Sequence, residues 1–220
     1  MNRLLQINSS ILGEASHSTK LANRFVELWK AMDPNREVVI RELGDCSIPH
    51  LDAARFGAFI TPPDQRTAEQ QAVVEFSDML IAELRQADLV VLAVPMYNFF
   101  LPSGLKAYFD HVSRVGETFR YTEAGPIGLL AGKKAVACLA QGDVCASTGD
   151  LIATYLRQFL TFLGFAEIDF VCAEGLNISD EIRAQGLAAA EDGVQKMSEK
   201  FTPLRSGEDP KPARKAANKR

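Results

Sequence analysis

No stretch of this 220-residue chain approaches the roughly 18 uninterrupted apolar residues that a membrane span needs, although 47% of its residues are hydrophobic. Its four cysteines, Cys46, Cys138, Cys145 and Cys172, stand far apart with no C-x-x-C pair. That spacing argues against a disulfide framework or a zinc site and for free thiols. The three histidines, His17, His50 and His111, show no i, i+4 pairing, which disfavours a metal-binding helix. G-x-G-x-x-G and G-x-x-x-x-G-K-[ST] are both missing, so a Rossmann dinucleotide site and a P-loop NTPase site are disfavoured. There is no G-x-S-x-G nucleophile elbow either. The first residues, MNRLLQINSS, lack an apolar region long enough for a secretory signal, and a cytoplasmic protein is the expectation.

What is present is the composition of an ordinary globular protein, with 24% charged residues and a net charge of -4. The charge is uneven. Residues 203–220 carry six basic and two acidic side chains, a net +4, which leaves -8 on residues 1–202. An acidic body argues against nucleic acid as the main partner. The Pro-, Lys- and Ala-rich end lacks the apolar residues to fold alone, so the expected organisation is one domain over 1–202 and a disordered basic tail over 203–220.

Hydrophobic periodicity alternates along the body. Short apolar runs at 3–8, 37–42, 88–95, 135–140 and 168–173 read as strands, and helical stripes are expected from about 19 to 32 and 67 to 86, then over 103–112, 151–163 and 179–201. The segment between the second strand and the long second helix reads as a polar connection, and 113–132 as an excursion with turn signals. Five strands alternating with helices imply right-handed crossovers and a parallel sheet covered on both faces. The fold expected is a doubly wound α/β domain with a five-stranded flavodoxin-like sheet of order 2-1-3-4-5, whose ligand crevice lies at the switch point between the first and third strands.

Two loops flank that crevice. The first, SSILGEASHS over 9–18, brings Ser9, Ser10, Ser16 and Ser18 to a helix start, followed by Thr19. Unpaired N–H groups and hydroxyls there can cage a phosphate without Lys or Arg. A plain N-cap is the simpler reading, but it needs only one of these residues. The second loop follows the third strand with Met96, Tyr97, Asn98 and Phe99, which either pack as core or form a shelf for a flat heteroaromatic such as isoalloxazine.

These stretches, with PMYNFFLPSGLKAYFD at 95–110, GETFRYTEAGPIGLLAGKKA at 116–135, FLTFLGF at 159–165 and FVCAEG at 170–175, resemble the FMN-dependent NADH azoreductases, which are also NADH:quinone oxidoreductases. The resemblance spans about residues 3 to 200. It implies bound FMN, with phosphate and ribityl chain on Ser10, Ser16, His17 and Ser18 and the ring on Met96, Tyr97, Asn98 and Phe99. It further implies NADH as co-substrate, quinones and azo compounds as acceptors in ping-pong hydride transfer, and a homodimer whose interface carries the substrate against Tyr121 and Phe162. The loop after the fourth strand, Ser-x-Gly-Gly in that family, reads Ala140, Gln141, Gly142 and Asp143 here, and the region after it is one residue shorter. A carboxylate at Asp143 would oppose the negative charge that reduction leaves on the flavin edge. Two rivals stay open: a flavodoxin-type one-electron carrier, and an interaction protein that has lost its flavin.

Overall fold

Leu4 and Leu5 are neighbours in sequence, yet they belong to different cores. Successive strand side chains point to opposite faces, so a strand apolar at both parities must be covered twice. A computed structural model describes residues 1–45, 48–144 and 151–201. In it, β1 (Arg3–Asn8), β2 (Glu37–Glu42), β3 (Leu89–Pro95), β6 (Lys134–Ala140) and β7 (Glu167–Ala173) form one parallel sheet of order β2-β1-β3-β6-β7. This is the expected 2-1-3-4-5 arrangement. The expected tail at 203–220 lies outside the described residues.

On one face, α1 (His17–Ala31) and α6 (Asp180–Lys200) pack against Leu4, Val91, Ala93, Val136 and Val171 through Phe25, Trp29, Ala190 and Val194. On the other, α3 (Ala68–Gln86), α4 (Ser103–Val112) and α5 (Leu151–Leu163) cover Leu5, Ile7, Val90, Leu92, Ala137 and Leu139. β3 is buried along its whole length, as a central strand between two helical layers must be. The registers Asn8↔Ala93 and Pro95↔Ala140 bring the carboxyl ends of β1, β3 and β6 to one edge, where the loops that follow them meet.

Two expectations need correction. The polar connection after β2 contains a helix, α2 (Ala53–Ile60), started by Asp52, whose side chain accepts from Arg55 N at 2.8 Å. The excursion folds into an antiparallel hairpin of β4 (Phe119–Thr122) and β5 (Gly125–Gly128). A Cβ on Gly128 would stand 2.1 Å from backbone atoms of Leu163 and Gly164. Only glycine lets the hairpin lie that close to the end of α5.

Candidate active site

A cleft of about 490 Å³ opens at the carboxyl edge of the sheet between the loops after β1, β3, β6 and β7. Its floor on the β1 side is the loop 9–16 and the first turn of α1. Ser9 Oγ donates to Ala93 O at 2.7 Å and ties the loop to β3. Ser16 occupies the N-cap position of α1, but its side chain makes no capping hydrogen bond. Instead Ser16 Oγ and Ser18 Oγ share a hydrogen bond of 3.0 Å, and Thr19 Oγ1 is buried with no partner among the described residues. A helix start carries unpaired donors and positive partial charge. Simple N-capping therefore does not account for the hydroxyls, and the turn stands ready for an anion.

His17 lines the cleft beside Ser16. Burial, and then the charges of Lys20 and Arg183, push its imidazole below the usual histidine range, so it is neutral at pH 7. Ser10 and Ser18 lie buried behind the lining. The Ser10 hydroxyl shares a 2.9 Å hydrogen bond with Tyr97 Oη and accepts from Leu12 N at 3.1 Å. Tyr97 Oη also accepts from Ile11 N at 3.3 Å. One phenol thus latches the β1 loop to the β3 loop across the switch point.

The β3 loop supplies Met96 and Tyr97 to the lining. Met96 N donates to Ala140 O at 2.8 Å, which extends the β3–β6 ladder by one step. The chain then reverses in a two-residue turn closed by Tyr97 N to Phe100 O at 2.9 Å and Phe100 N to Tyr97 O at 3.0 Å. Both central residues are left-handed, Asn98 at φ 49° and Phe99 at φ 67°. Asparagine visits that region readily, whereas phenylalanine there carries strain of order 1 kcal/mol. Asn98 and Phe99 project outward and leave the lining to their neighbours, with Phe99 83% exposed.

From the β6 loop come Ala140, Gln141 and Gly142. Gln141 O accepts from Leu176 N at 3.2 Å, Gly142 O from Asn177 N at 3.0 Å and Asp143 O from Gly175 N at 3.1 Å, so this loop is zipped to the one after β7. A Cβ on Gly142 would stand 2.5 Å from Asn177 Nδ2 and 3.3 Å from its Cβ, so a larger residue there would push the Asn177 side chain aside. The Asp143 carboxylate turns away, is exposed, and accepts from Val144 N at 2.8 Å. Its backbone holds the loop; its side chain is not part of the cleft wall. The stretch expected to be one residue short falls mainly on 145–150, outside the described residues.

Tyr121 and Phe162 do not line this cleft. Both meet Phe119, Tyr121 edge-on at 5.6 Å and Phe162 at 4.6 Å between centroids. Phe162 also borders a separate groove of about 300 Å³ with Tyr155, Gln158 and Phe159. Sequence reasoning missed Leu12, Ala15, Leu176, Asn177 and Arg183, which complete the cleft. The last three come from the loop after β7 and the start of α6, and the signal for them was topological: α6 shares a sheet face with α1.

Fold and cleft together define a doubly wound protein with an anion-receptive pocket at its switch point. A family model described as flavodoxin-like fold matches residues 2–197. The chain is 50% identical over 196 residues to an FMN-dependent NADH:quinone oxidoreductase of Cellvibrio japonicus, covering 89% of this chain and 98% of that one. It is 46% identical over 195 residues to FMN-dependent NADH:quinone oxidoreductase 6 of Burkholderia lata, covering 88% and 98%. Among solved structures, an FMN-dependent NADH-azoreductase of Bacillus anthracis in complex with FMN matches with a TM-score of 0.84 at 27% identity, over 92% of this chain and all of that one. The chain belongs to the flavodoxin-like family of FMN-dependent NADH:quinone oxidoreductases.

Proposed function

We propose that the chain is an FMN-dependent NADH:quinone oxidoreductase with azoreductase activity, working as a cytoplasmic homodimer. The observation that carries this reading is the uncapped first turn of α1, which opens into the cleft facing Met96 and Tyr97. The hydroxyls of Ser16 and Ser18 at that turn fit a phosphate, and the backbone of 96–97 and 140–142 fits the edge of a flat ring. Bound FMN supplies hydride acceptance from NADH and delivery to a quinone or azo compound, so the two substrates use one cleft in turn.

The residues of the chain bind and position. The α1 turn holds the anionic end, the Tyr97 latch fixes the spacing between the two loops, and the loop zipped by Gln141, Gly142 and Asp143 closes the third side. Support for a second copy comes from exposed apolar side chains, Phe99, Tyr121 and Ile127 among them, which a partner would cover.

Purified protein should carry a visible flavin band that bleaches when NADH is added without oxygen and returns when a small quinone follows. Protein that neither carries nor takes up FMN would sink the proposal. Flavin that NADH leaves oxidised would favour the electron-carrier reading.

A further inference from the structure

α1 and α6 lie side by side on one face of a parallel sheet, and both begin at its carboxyl edge. Arg24 Nε donates to Glu191 Oε1 at 2.9 Å along their length. The first turn of α6 is therefore set beside the first turn of α1, and Arg183 in it lines the cleft. Its Nε donates to Leu176 O at 2.6 Å and Nη1 donates to Asp180 Oδ1 at 2.9 Å. Those bonds use two of the five N–H groups of a guanidinium. The Asp180 carboxylate is 97% exposed, so water weakens its hold on the cation. With His17 neutral, Arg183 is the one formal charge among the described lining residues, and its carboxylate partner Asp180 is not one of them. Arg183 and His17 line the same cleft, and the Arg183 charge adds to burial and Lys20 in lowering the His17 imidazole.

We propose that Arg183 is an anion-binding residue of the cleft, which reaches over from α6 to the phosphate held by α1 and makes the site select FMN over riboflavin. This rests on the reading of the cleft as an FMN site. A guanidinium anchored at Leu176 O is held in place, so little side-chain freedom is lost when an anion arrives.

The test is titration of the full-length apoprotein with FMN and with riboflavin, followed by flavin fluorescence, for the native chain, Arg183→Gln and Arg183→Lys. Arg183→Gln should weaken FMN binding about tenfold or more while riboflavin binding changes by less than about twofold. Arg183→Lys, which keeps the charge, should retain most of the preference. Equal weakening of both ligands would overturn the proposal and show that Arg183 only anchors the loop at Leu176. Unchanged binding of both would overturn it while leaving the FMN site intact. A native protein that binds neither flavin would overturn the FMN site itself, and this inference with it. Should Arg183→Gln fail to fold, the salt dependence of native FMN binding decides: affinity should fall with salt for FMN and not for riboflavin, and identical salt responses would overturn the proposal.

Discussion

Ser16 and Ser18 are buried, hydrogen-bonded to each other and positioned over unpaired helix donors. A hydrogen bond to a charged group contributes about 1.5–3 kcal/mol, and two hydroxyls that share a bond lose their effects non-additively. Ser16→Ala with Ser18→Ala should therefore weaken FMN binding about a hundredfold with the fold intact; an unchanged dissociation constant would mean a helix start and nothing more. Asp143 shows the limit of reading a site residue from position alone. A carboxylate in the β6 loop was expected to make reduction harder, but the side chain lies in water and caps its own turn at Val144 N. Solvent reduces such a unit-charge interaction to about 0.5 kcal/mol or less, about 10 mV for a two-electron couple. Asp143→Asn should thus leave the flavin midpoint potential within that margin, and a rise of several tens of millivolts would show that the carboxylate faces the ring after all.

At the scale of elements, legibility followed burial. β3 and β6 were readable because double coverage leaves no polar position in β3 and only the leading Lys134 in β6, and α5 because its apolar residues keep a helical period. α2 was not readable. Only Ala58 of its eight residues is buried, and Phe56 and Ile60 face out while Phe59 packs inward on His111, so the apolar residues in its sequence do not mark one face. The hairpin was hidden for a different reason: its strands have four residues each, and β5 holds two glycines and a proline, so its stability comes from docking on α5. Phe119 is the dock, buried against Phe162. Truncating a buried phenylalanine costs about 3–5 kcal/mol, and the lower end applies at this edge. Phe119→Ala should shift the urea midpoint by the equivalent of about 3 kcal/mol with little change in slope. A shift under about 1 kcal/mol would mean that the hairpin is held elsewhere.

For the molecule as a whole, the sheet order and switch point were legible because the alternation of strands and helices permits few topologies. The full ring of cleft residues was not, since Arg183 joins His17 only through the packing of α6 on α1. The aromatic surface around Tyr121 points to association. The native protein should have twice the 24.1 kDa chain mass by light scattering, and Tyr121→Asp with Ile127→Asp should shift it toward one chain mass, because a buried charge opposes pairing. A dimer that survives this pair of charges would place the interface on another face.

The left-handed Phe99 sets two kinds of fitness against each other. Left-handed backbone costs a residue with a side chain about 1–2 kcal/mol and glycine little, less about 0.5–1 kcal/mol for the extra freedom of unfolded glycine. Phe99→Gly should accordingly raise the stability of the separate chain by about 0.5–1 kcal/mol, measured by thermal unfolding, and weaken the proposed pairing of chains, since an exposed apolar ring is lost. Selection for soluble expression or heat tolerance of the separate chain would therefore drift toward glycine at this position and discard the apolar surface unnoticed. A library screened for the paired state would keep the ring.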